Sequence, residues 1–499
     1  MVVRCVMQFL KLSLISGAII GFSASLAVAQ TLENPTTAED LFPAIRQAIP
    51  TGVAQTPGTS AQPTVRNRIV RFVNSRGEAV DREGNPIEGR LPQEFITNEL
   101  RLQAGDIYDP DIVQADLQQL YQLGLWGNVT VSVVEVPDEN QVDVIYNVNE
   151  RAARSFNFGG GINDDVGIYG EVGYRSATIG RLHQRLEVNT QVSLRDVGGR
   201  IQFVSPYRYG EDGLGFSFGG FRDRSISNIF DQDVDLPNGD RVRIGRVGGN
   251  VNFTRPIGRW YSTVGLNYNR ISTRDANWNI ARRDERGNPL TWSGTGIDDL
   301  YTVSFATRRD WRDNPFDPRS GGILTLATQQ SIPIGVGNIL QNRLTADYLL
   351  YVPTRWVSSE AQNLQPNTLP EMFAFNLQAG TILGDLPPHQ AFALGGFNSV
   401  RGYGSGDVGS GRSYFLASGE YRFPLFSRVG GVVFADFATD LGSGDTVLGE
   451  PANVRDKPGT GMGGGIGLRW RSPFGLVRFD LGISDRGRIY FELGTGQRY

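Results

Sequence analysis

The chain is poor in the residues that do most protein chemistry. In 499 residues there are 1 cysteine, 2 histidines and 4 methionines. The lone thiol, Cys5, excludes an internal disulfide and a thiolate metal cluster. His183 and His389 lie far apart and leave no basis for a histidine zinc site. With so few histidines no Ser/His/Asp set can be assembled. The glycine-rich runs lack a following Lys-Ser/Thr and a helix, so no phosphate loop is present. Among 52 acids nothing singles out a proton-transfer pair. The reading is a non-enzyme with no cofactor. Lysine is nearly missing, Lys11 and Lys457 being its two occurrences, so positive charge is almost all arginine. A net charge of -4 makes no case for a nucleic-acid partner. After the first thirty residues no run of about 20 apolar residues occurs, which excludes a transmembrane helix in the remaining chain.

The first residues read as an export signal. Arg4 and Lys11 flank the start, an apolar run LSLISGAIIGFSASLAVA follows, and Ala27-Val28-Ala29 fits small-x-small cleavage. Glycine and serine break the run, which argues against a membrane anchor. Residues 1–29 are expected to be this signal and 30–64 a flexible linker rich in Thr, Pro, Ala, Gly and Gln. Ala38–Arg46 offers at most a transient helical turn within it.

From 65 to 150 the texture is that of a small soluble domain. Arg68–Val73 alternates as a strand. Pro92 opens a helix whose Phe95, Ile96 and Leu100 share a face. Asp109-Pro110 starts a second helix, with Val113, Leu117, Leu120 and Tyr121 on one side and Gly124 ending it. Val129–Val133 and Val142–Val148 alternate as strands around the turn Pro137–Asn140. The expected order is β-α-α-β-β.

From 151 to 499 helical periodicity is absent. Sixteen alternating segments follow, beginning near Ser155, Val166, Leu182, Arg200, Gly213, Arg246, Trp260, Tyr301, Ile323, Arg343, Met372, Ser413, Gly431, Gly464, Phe474 and Arg488. Alternation alone fits a sandwich, a propeller or a barrel. Three features favour an all-β membrane barrel of 16 antiparallel strands. Aromatic residues alternate with small or charged ones, as lipid outside and a polar lumen inside require. The long stretches near 223–242, 273–297, 384–412 and 440–461 each join an odd strand to the next even one, while other connections, such as Pro256–Gly258 and Ser472-Pro473, are short. The stretch near 353–370 breaks this parity. The chain ends on a strand, Ile489–Leu493, with a terminal aromatic, Tyr499, so that the last strand can pair with the first and leave no edge.

Val400-Arg401-Gly402-Tyr403 sits in the longest connection, between the eleventh and twelfth strands. An arginine there can stay solvated outside or fold into the lumen. Inside, it needs carboxylates. Glu420 and Asp436, on the next two strands, are the candidates. Each is flanked by aromatics that alternation would turn to lipid.

The same four residues match the VRGY signature of the BamA/TamA superfamily of outer-membrane assembly and secretion proteins, the bacterial surface antigen family. Asp310-Trp311-Arg312-Asp313-Asn314-Pro315 with Pro318 and Gly321 resembles that family's turn before the ninth strand. Glu420–Pro424 resembles its E-Y-R-F-P strand end, and Gly463–Asp480 its closing block. Gly124–Val129 resembles the G-x-F-x-x-V step of a POTRA (polypeptide-transport-associated) domain. The resemblance runs from about residue 66 to the end. It implies a lock in which Arg401, with Val400, Gly402 and Tyr403, enters the barrel and pairs with Glu420 and Asp436. Two departures stand out: one POTRA domain where dedicated assembly members carry several, and Ala438 where glycine is usual.

The resemblance further implies outer-membrane residence with the POTRA domain in the periplasm. Partners would be unfolded outer-membrane or exported proteins, the lipid bilayer, and accessory periplasmic or lipoprotein subunits. POTRA strand edges could add incoming strands. The first barrel strand carries Phe156, Phe158, Gly159, Gly160 and Gly161. Its glycines either weaken a lateral seam against the last strand near Tyr490 and Phe491, or serve a tight bend. The expected function is assembly, insertion or translocation of barrel proteins; the alternatives are a two-partner-type secretion pore for one exported protein and a gated solute channel.

Overall fold

The computed structural model describes residues 62–499 except 75, 138, 164–166, 180–183, 194–196, 210–212, 231–234, 314–316, 359–368, 453–455 and 473–474. The export signal, nearly all of the linker with its Ala38–Arg46 turn, His183, Asp138, Asn314, Pro315, Pro473, Phe474 and the middle of the 353–370 connection lie outside the described residues.

The N-terminal unit has the expected order. It runs β1 (Thr64–Phe72), α1 (Gln93–Thr97), α2 (Pro110–Leu123), β2 (Trp126–Glu135) and β3 (Gln141–Glu150). The sheet order is β1-β3-β2, with β1 parallel and β2 antiparallel to β3. Helix α2 begins and ends as its sequence dictates. The Asp109 carboxylate accepts from the Asp111 amide at 2.8 Å, and Gly124 closes the helix at φ 68°. Val113, Leu117, Leu120 and Tyr121 turn inward together and pack on Trp126, Val144 and Tyr146. Helix α1 is shorter than expected: it stops at Thr97, so Leu100 joins the core from beyond it. Asp116 is buried in this core, where it accepts from the Arg101 amide at 2.8 Å and the Tyr146 hydroxyl at 2.9 Å. Burial raises its pKa, against the pull of those hydrogen bonds.

The remainder closes into a 16-stranded antiparallel barrel. Its strands are β4 (Arg154–Asn163), β5 (Gly167–Ile179), β6 (Gln184–Ser193), β7 (Val197–Ser205), β8 (Gly215–Ile226), β9 (Arg243–Ile257), β10 (Trp260–Arg274) and β11 (Ile297–Asp310). They continue as β12 (Gly321–Ile332), β13 (Gln341–Pro353), β14 (Met372–Gly384), β17 (Ser413–Phe426), β18 (Val429–Thr439), β19 (Thr460–Ser472), β20 (Gly475–Ser484) and β21 (Ile489–Thr495). Two further short strands, β15 (Phe392–Leu394) and β16 (Gly409–Gly411), pair within the longest connection.

Alternation sets the two faces. On β10, Val264 and Leu266 face out, while Asn267 between strands donates inward to Thr302 and Ser304 at 3.3 and 3.1 Å. Phe218, Phe253, Phe305 and Phe375 share the outward apolar band. The lumen is lined with hydroxyl and amide groups, such as Thr254 and Thr263 at 3.0 Å. Among the described residues no helix is long and apolar enough to cross a membrane.

The connection that breaks parity is organised by Glu371, which precedes β14. Its carboxylate accepts from the amides of Trp356, Val357 and Ser358, from the Ser358 hydroxyl and from Tyr421 Oη, at 2.6 to 3.2 Å. Burial opposes its ionisation, but these donors outweigh burial and bring its pKa down to about 2.

The POTRA-like unit sits against the short-turn end of the barrel. Gln114 Nε2 donates to the Arg312 carbonyl at 3.1 Å, and Tyr261 Oη donates to Gln119 Oε1 at 2.7 Å. Glu99, fully buried, accepts from Arg208 Nε at 2.9 Å and the Tyr209 amide at 2.8 Å. The carbonyls ending α2 accept from two barrel arginines: Arg185 to Leu123 at 2.7 Å and Arg175 to Gly124 at 2.5 Å.

Candidate functional site

The connection between β14 and β17 folds into the lumen. Its tip is packed: Val400 and Arg401 are 0% exposed and Tyr403 is 2% exposed. The apolar side of the tip is held by Leu394, Val400, Tyr403, Val408, Leu416 and Ala438. Gly402 has φ 91°, and a Cβ there would stand 2.6 Å from backbone atoms of Ile483 and Ser484. Only glycine meets both demands. The wall reciprocates, because a Cβ on Gly463 or Gly482 would strike the backbone of Arg401 or Gly402. The closing block is thus glycine-rich where the loop backbone lies flat on β19 and β20. Tyr403 Oη donates to Asp485.

Arg401 uses every part of its fork. Nε donates to Asp436 Oδ2 at 2.7 Å and Nη2 to Asp436 Oδ1 at 2.9 Å, a bidentate pair. Nη1 donates to Glu420 Oε1 at 2.7 Å. The Arg401 amide also donates to Asp436, at 3.1 Å. The guanidinium lies 3.4 Å from the Phe434 ring centroid. Phe434 therefore faces in with Asp436, two residues along, whereas alternation had been expected to turn the flanking aromatics to lipid. Tyr421, next to Glu420, does sit on the opposite face, among Trp356, Phe373 and Phe423.

The two acids are not left to one cation. Arg422 lies 2.7 Å from Glu420, and Arg498 lies 2.9 Å from Asp436. Asp480 stands 3.5 Å from Arg401 and pairs with Arg469 at 2.6 Å. Ser418 Oγ adds a donor to Asp436 at 2.5 Å. A charge buried this deeply is costly alone, and the interlaced set answers that cost. Tyr499 lies past the last strand. Strand β21 ends at Thr495, and the tail turns inward so that Tyr499 Oη meets Ser418 Oγ at 3.1 Å.

A second anchor was not anticipated. His389, in a short turn of the same connection, shares a 2.8 Å hydrogen bond between Nε2 and Asp298 Oδ2, and both side chains are fully buried. Asp298 also accepts from the amides of Trp292 and Ser293 at 2.8 and 2.9 Å. The connection is thereby tied to the loop before β11.

The barrel closure is uneven. Strands β9 and β10 pair over fifteen positions and β20 and β21 over seven. Between β21 and β4, one position pairs among the described residues: Leu493 opposite Ile162. Of the residues expected at this seam, Tyr490 and Phe491 lie on β21, opposite Gly482 and Leu481 of β20 on its other side. Phe156 and Phe158 point outward, 59% and 75% exposed, beyond the reach of that single paired position. Gly161 is where the closing strand crosses, since a Cβ there would lie 2.9 Å from the Leu493 carbonyl oxygen. Gly159 is only loosely neighboured, and Gly160 packs on the Tyr169 carbonyl.

Comparison with known proteins places this architecture. Residues 182–499 match the model of the Omp85 superfamily domain, and residues 83–151 match the surface antigen variable number repeat, a POTRA model. The chain belongs to the Omp85 superfamily. It is 30% identical over 446 residues to outer envelope protein 80, chloroplastic, of Arabidopsis thaliana, covering 88% of this chain and 57% of that protein. It is 27% identical over 459 residues to protein TOC75, chloroplastic, of Oryza sativa subsp. japonica, covering 83% and 54%. The chain thus spans little more than half the length of these curated relatives. Among solved structures, BamA from Haemophilus ducreyi lacking POTRA domains 1-3 superposes with a TM-score of 0.53 at 17% identity, over 86% of this chain and 84% of that one. CdiB from Acinetobacter baumannii gives 0.53 at 16% identity, over 87% and 74%. These likenesses concern the fold.

Within this Omp85 barrel, one departure and one shared motif have a visible place. Ala438, in place of glycine, is accommodated: its methyl is fully buried in the apolar side of the loop tip. Asp310 and Arg312 of the turn motif form a bidentate pair at 3.0 and 2.9 Å, and that turn is where Gln114 of α2 docks. The residues missed at the site, Arg422 and Arg498, carried unequal signals. Arg422 follows Glu420 by two and so shares its face; Arg498 lies in a tail with no periodicity.

Proposed function

We propose that the chain assembles or inserts β-barrel proteins in the outer membrane, with its POTRA unit on the periplasmic side. The observation that carries this reading is the closure between β21 and β4, with one paired position among the described residues, in a wall whose other neighbours pair over at least seven. A barrel strand with an unpaired edge is a template for another strand. The lower half of β4, with Phe156 and Phe158, offers that edge beside lipid. The POTRA sheet offers a second, because β2 is an outer strand of the order β1-β3-β2. An incoming chain would meet the POTRA edge first and the barrel edge next. The inward loop, pinned through Arg401, Glu420 and Asp436, keeps the lumen filled and braces β17 to β20, the wall leading up to β21, while the seam opens. The partners are unfolded outer-membrane or exported chains, with accessory subunits supplying further modules.

Depletion of the protein followed by a census of outer-membrane proteins tests the reading. General loss of barrel proteins supports insertion. Loss of one exported protein alone would instead assign a secretion pore, and an unchanged census with lost solute uptake a gated channel.

A further inference from the structure

The outer wall of β8, β9 and β10 carries a cluster of arginines that the assembly mechanism does not use. Arg222 and Arg224 lie on β8, Arg243 on β9 and Arg274 on β10. By alternation they share the outward face with Phe218, Val251 and Leu266, which are 49%, 40% and 55% exposed. They sit at the long-loop end of the barrel, away from the POTRA unit. Register draws them together. Arg243 is directly opposite Arg274, and Arg224 is opposite Gly245, itself opposite Ser272. Arg222 is one pleat nearer the apolar band, opposite Val247. Like charges across a strand pair repel. Even so, among the described residues none of the four has a carboxylate within ion-pair distance. Asp275 stands near enough to act electrostatically on Arg243 and Arg274 without forming an ion pair with either, and the acids also bond elsewhere. Asp299 is held bidentately by Arg270 at 2.8 Å, and Asp275 accepts from Asn279 at 2.7 Å. Asp223 faces the lumen, between the two β8 arginines in sequence but on the other side of the wall.

Trp278 completes the patch. Its backbone is left-handed, φ 70°, an uncommon conformation for a bulky residue. That turn folds the indole back onto the wall, 4.3 Å from the Arg224 guanidinium and 5.6 Å from that of Arg274. Gly245 makes the space, since a Cβ there would lie 3.2 Å from the indole. Arg274 donates to the Trp278 carbonyl at 2.6 Å and to Ser272 Oγ at 3.0 Å, which fixes its fork at the patch. Four guanidiniums with one nearby carboxylate, Asp275, and no ion pair, beside an interfacial tryptophan and directly above an apolar band, match a headgroup level in a bilayer.

We propose that this patch binds the phosphate of an anionic lipid in the leaflet on the long-loop side, with the acyl chains lying along Phe218, Val251 and Leu266. The occupant is a lipid and not a free anion, because the arginines face the same side as the apolar band and open toward it. Bound phosphate would relieve the repulsion between Arg243 and Arg274 and hold β8–β10 as a fixed wall, on the far side of the barrel from β21 and β4.

The full chain in nanodiscs of phosphatidylcholine with and without phosphatidylglycerol tests this, read by native mass spectrometry of retained lipid. The wild type is expected to retain phosphatidylglycerol and not phosphatidylcholine. Each arginine near an anionic surface is worth about fivefold, so R222Q/R224Q/R274Q should bind on the order of 100-fold more weakly. Arg224→Gln alone, a milder change should the triple variant fold poorly, should cost about fivefold. Excess inorganic phosphate should not displace the lipid. Equal retention by the variants, or equal retention of both lipids, would overturn the proposal. Full displacement by inorganic phosphate would also overturn it and assign a free-anion site.

Discussion

Replacing Arg401 by alanine is the sharpest perturbation of the lumen. Removing one partner of a buried ion pair costs about 3–5 kcal/mol, because the other charge remains buried. Here the two acids keep other cations: Glu420 retains Arg422 at 2.7 Å, and Asp436 retains Arg498 at 2.9 Å and Ser418 Oγ at 2.5 Å. The cost should therefore fall at the lower end, about 3 kcal/mol, or on the order of 100-fold in the population of the released loop. Ser405, buried in the same loop, supplies the reporter. In a Cys5→Ser background, Ser405→Cys should be protected from a bulky maleimide, and Arg401→Ala should raise the labelling rate by that factor. Arg401→Lys should fall between, since an ammonium keeps the charge but cannot bridge both acids with a fixed fork. Labelling within twofold of the parent in the alanine variant would refute the argument that this side chain holds the loop.

Three further outcomes follow from the same geometry. Gly402→Ala should destabilise the folded barrel by at least about 1–2 kcal/mol for the backbone alone, read as a lower temperature for loss of the compact band on gels. Asp116 has a raised folded pKa, so its share of stability is present below the unfolded value and fades as pH rises through the folded one. Urea midpoints of the POTRA unit, followed at Trp126, should rise from neutral toward acid, and Asp116→Asn should flatten that part of the dependence; an unchanged slope would contradict it. Glu371 is the opposite case: with a folded pKa of about 2, its contribution is present above its unfolded value and is lost as pH falls toward 2. Proteolytic nicking after Pro353 should accelerate across that acid window in the parent, and Glu371→Gln should be nicked readily at every pH.

Much of this architecture was legible because its determinants are local or periodic. Asp109 and Gly124 bracket α2 as cap residues must. All strand starts fell within four residues of expectation, since outward aromatics and inward small residues repeat every second position. Parity and the needs of a buried cation made Glu420 and Asp436 candidates for Arg401 while leaving a solvated arginine open; the resemblance to the family is what implied the lock. Other features had no such signal. Strands β15 and β16 are three residues each, too short to show a period. Phe434 was misplaced by treating every aromatic near an acid as lipid-facing, and the inward turn of the tail at Tyr499 follows no period. The pairing of His389 with Asp298 depends on a loop turn meeting the start of β11, 91 residues away, which no spacing rule reaches. That β21 and β4 pair at Leu493 and Ile162 is a property of barrel closure and is not written in either strand.

The proposed mechanism stands on that closure being able to open. A Cys5→Ser chain carrying Ile162→Cys and Leu493→Cys places the two thiols at the one paired position. Oxidised, it should fail to assemble client barrels in reconstituted membranes, and reduction should restore assembly. An oxidised barrel, shown to be fully cross-linked, that assembles clients at the parent rate would contradict the account.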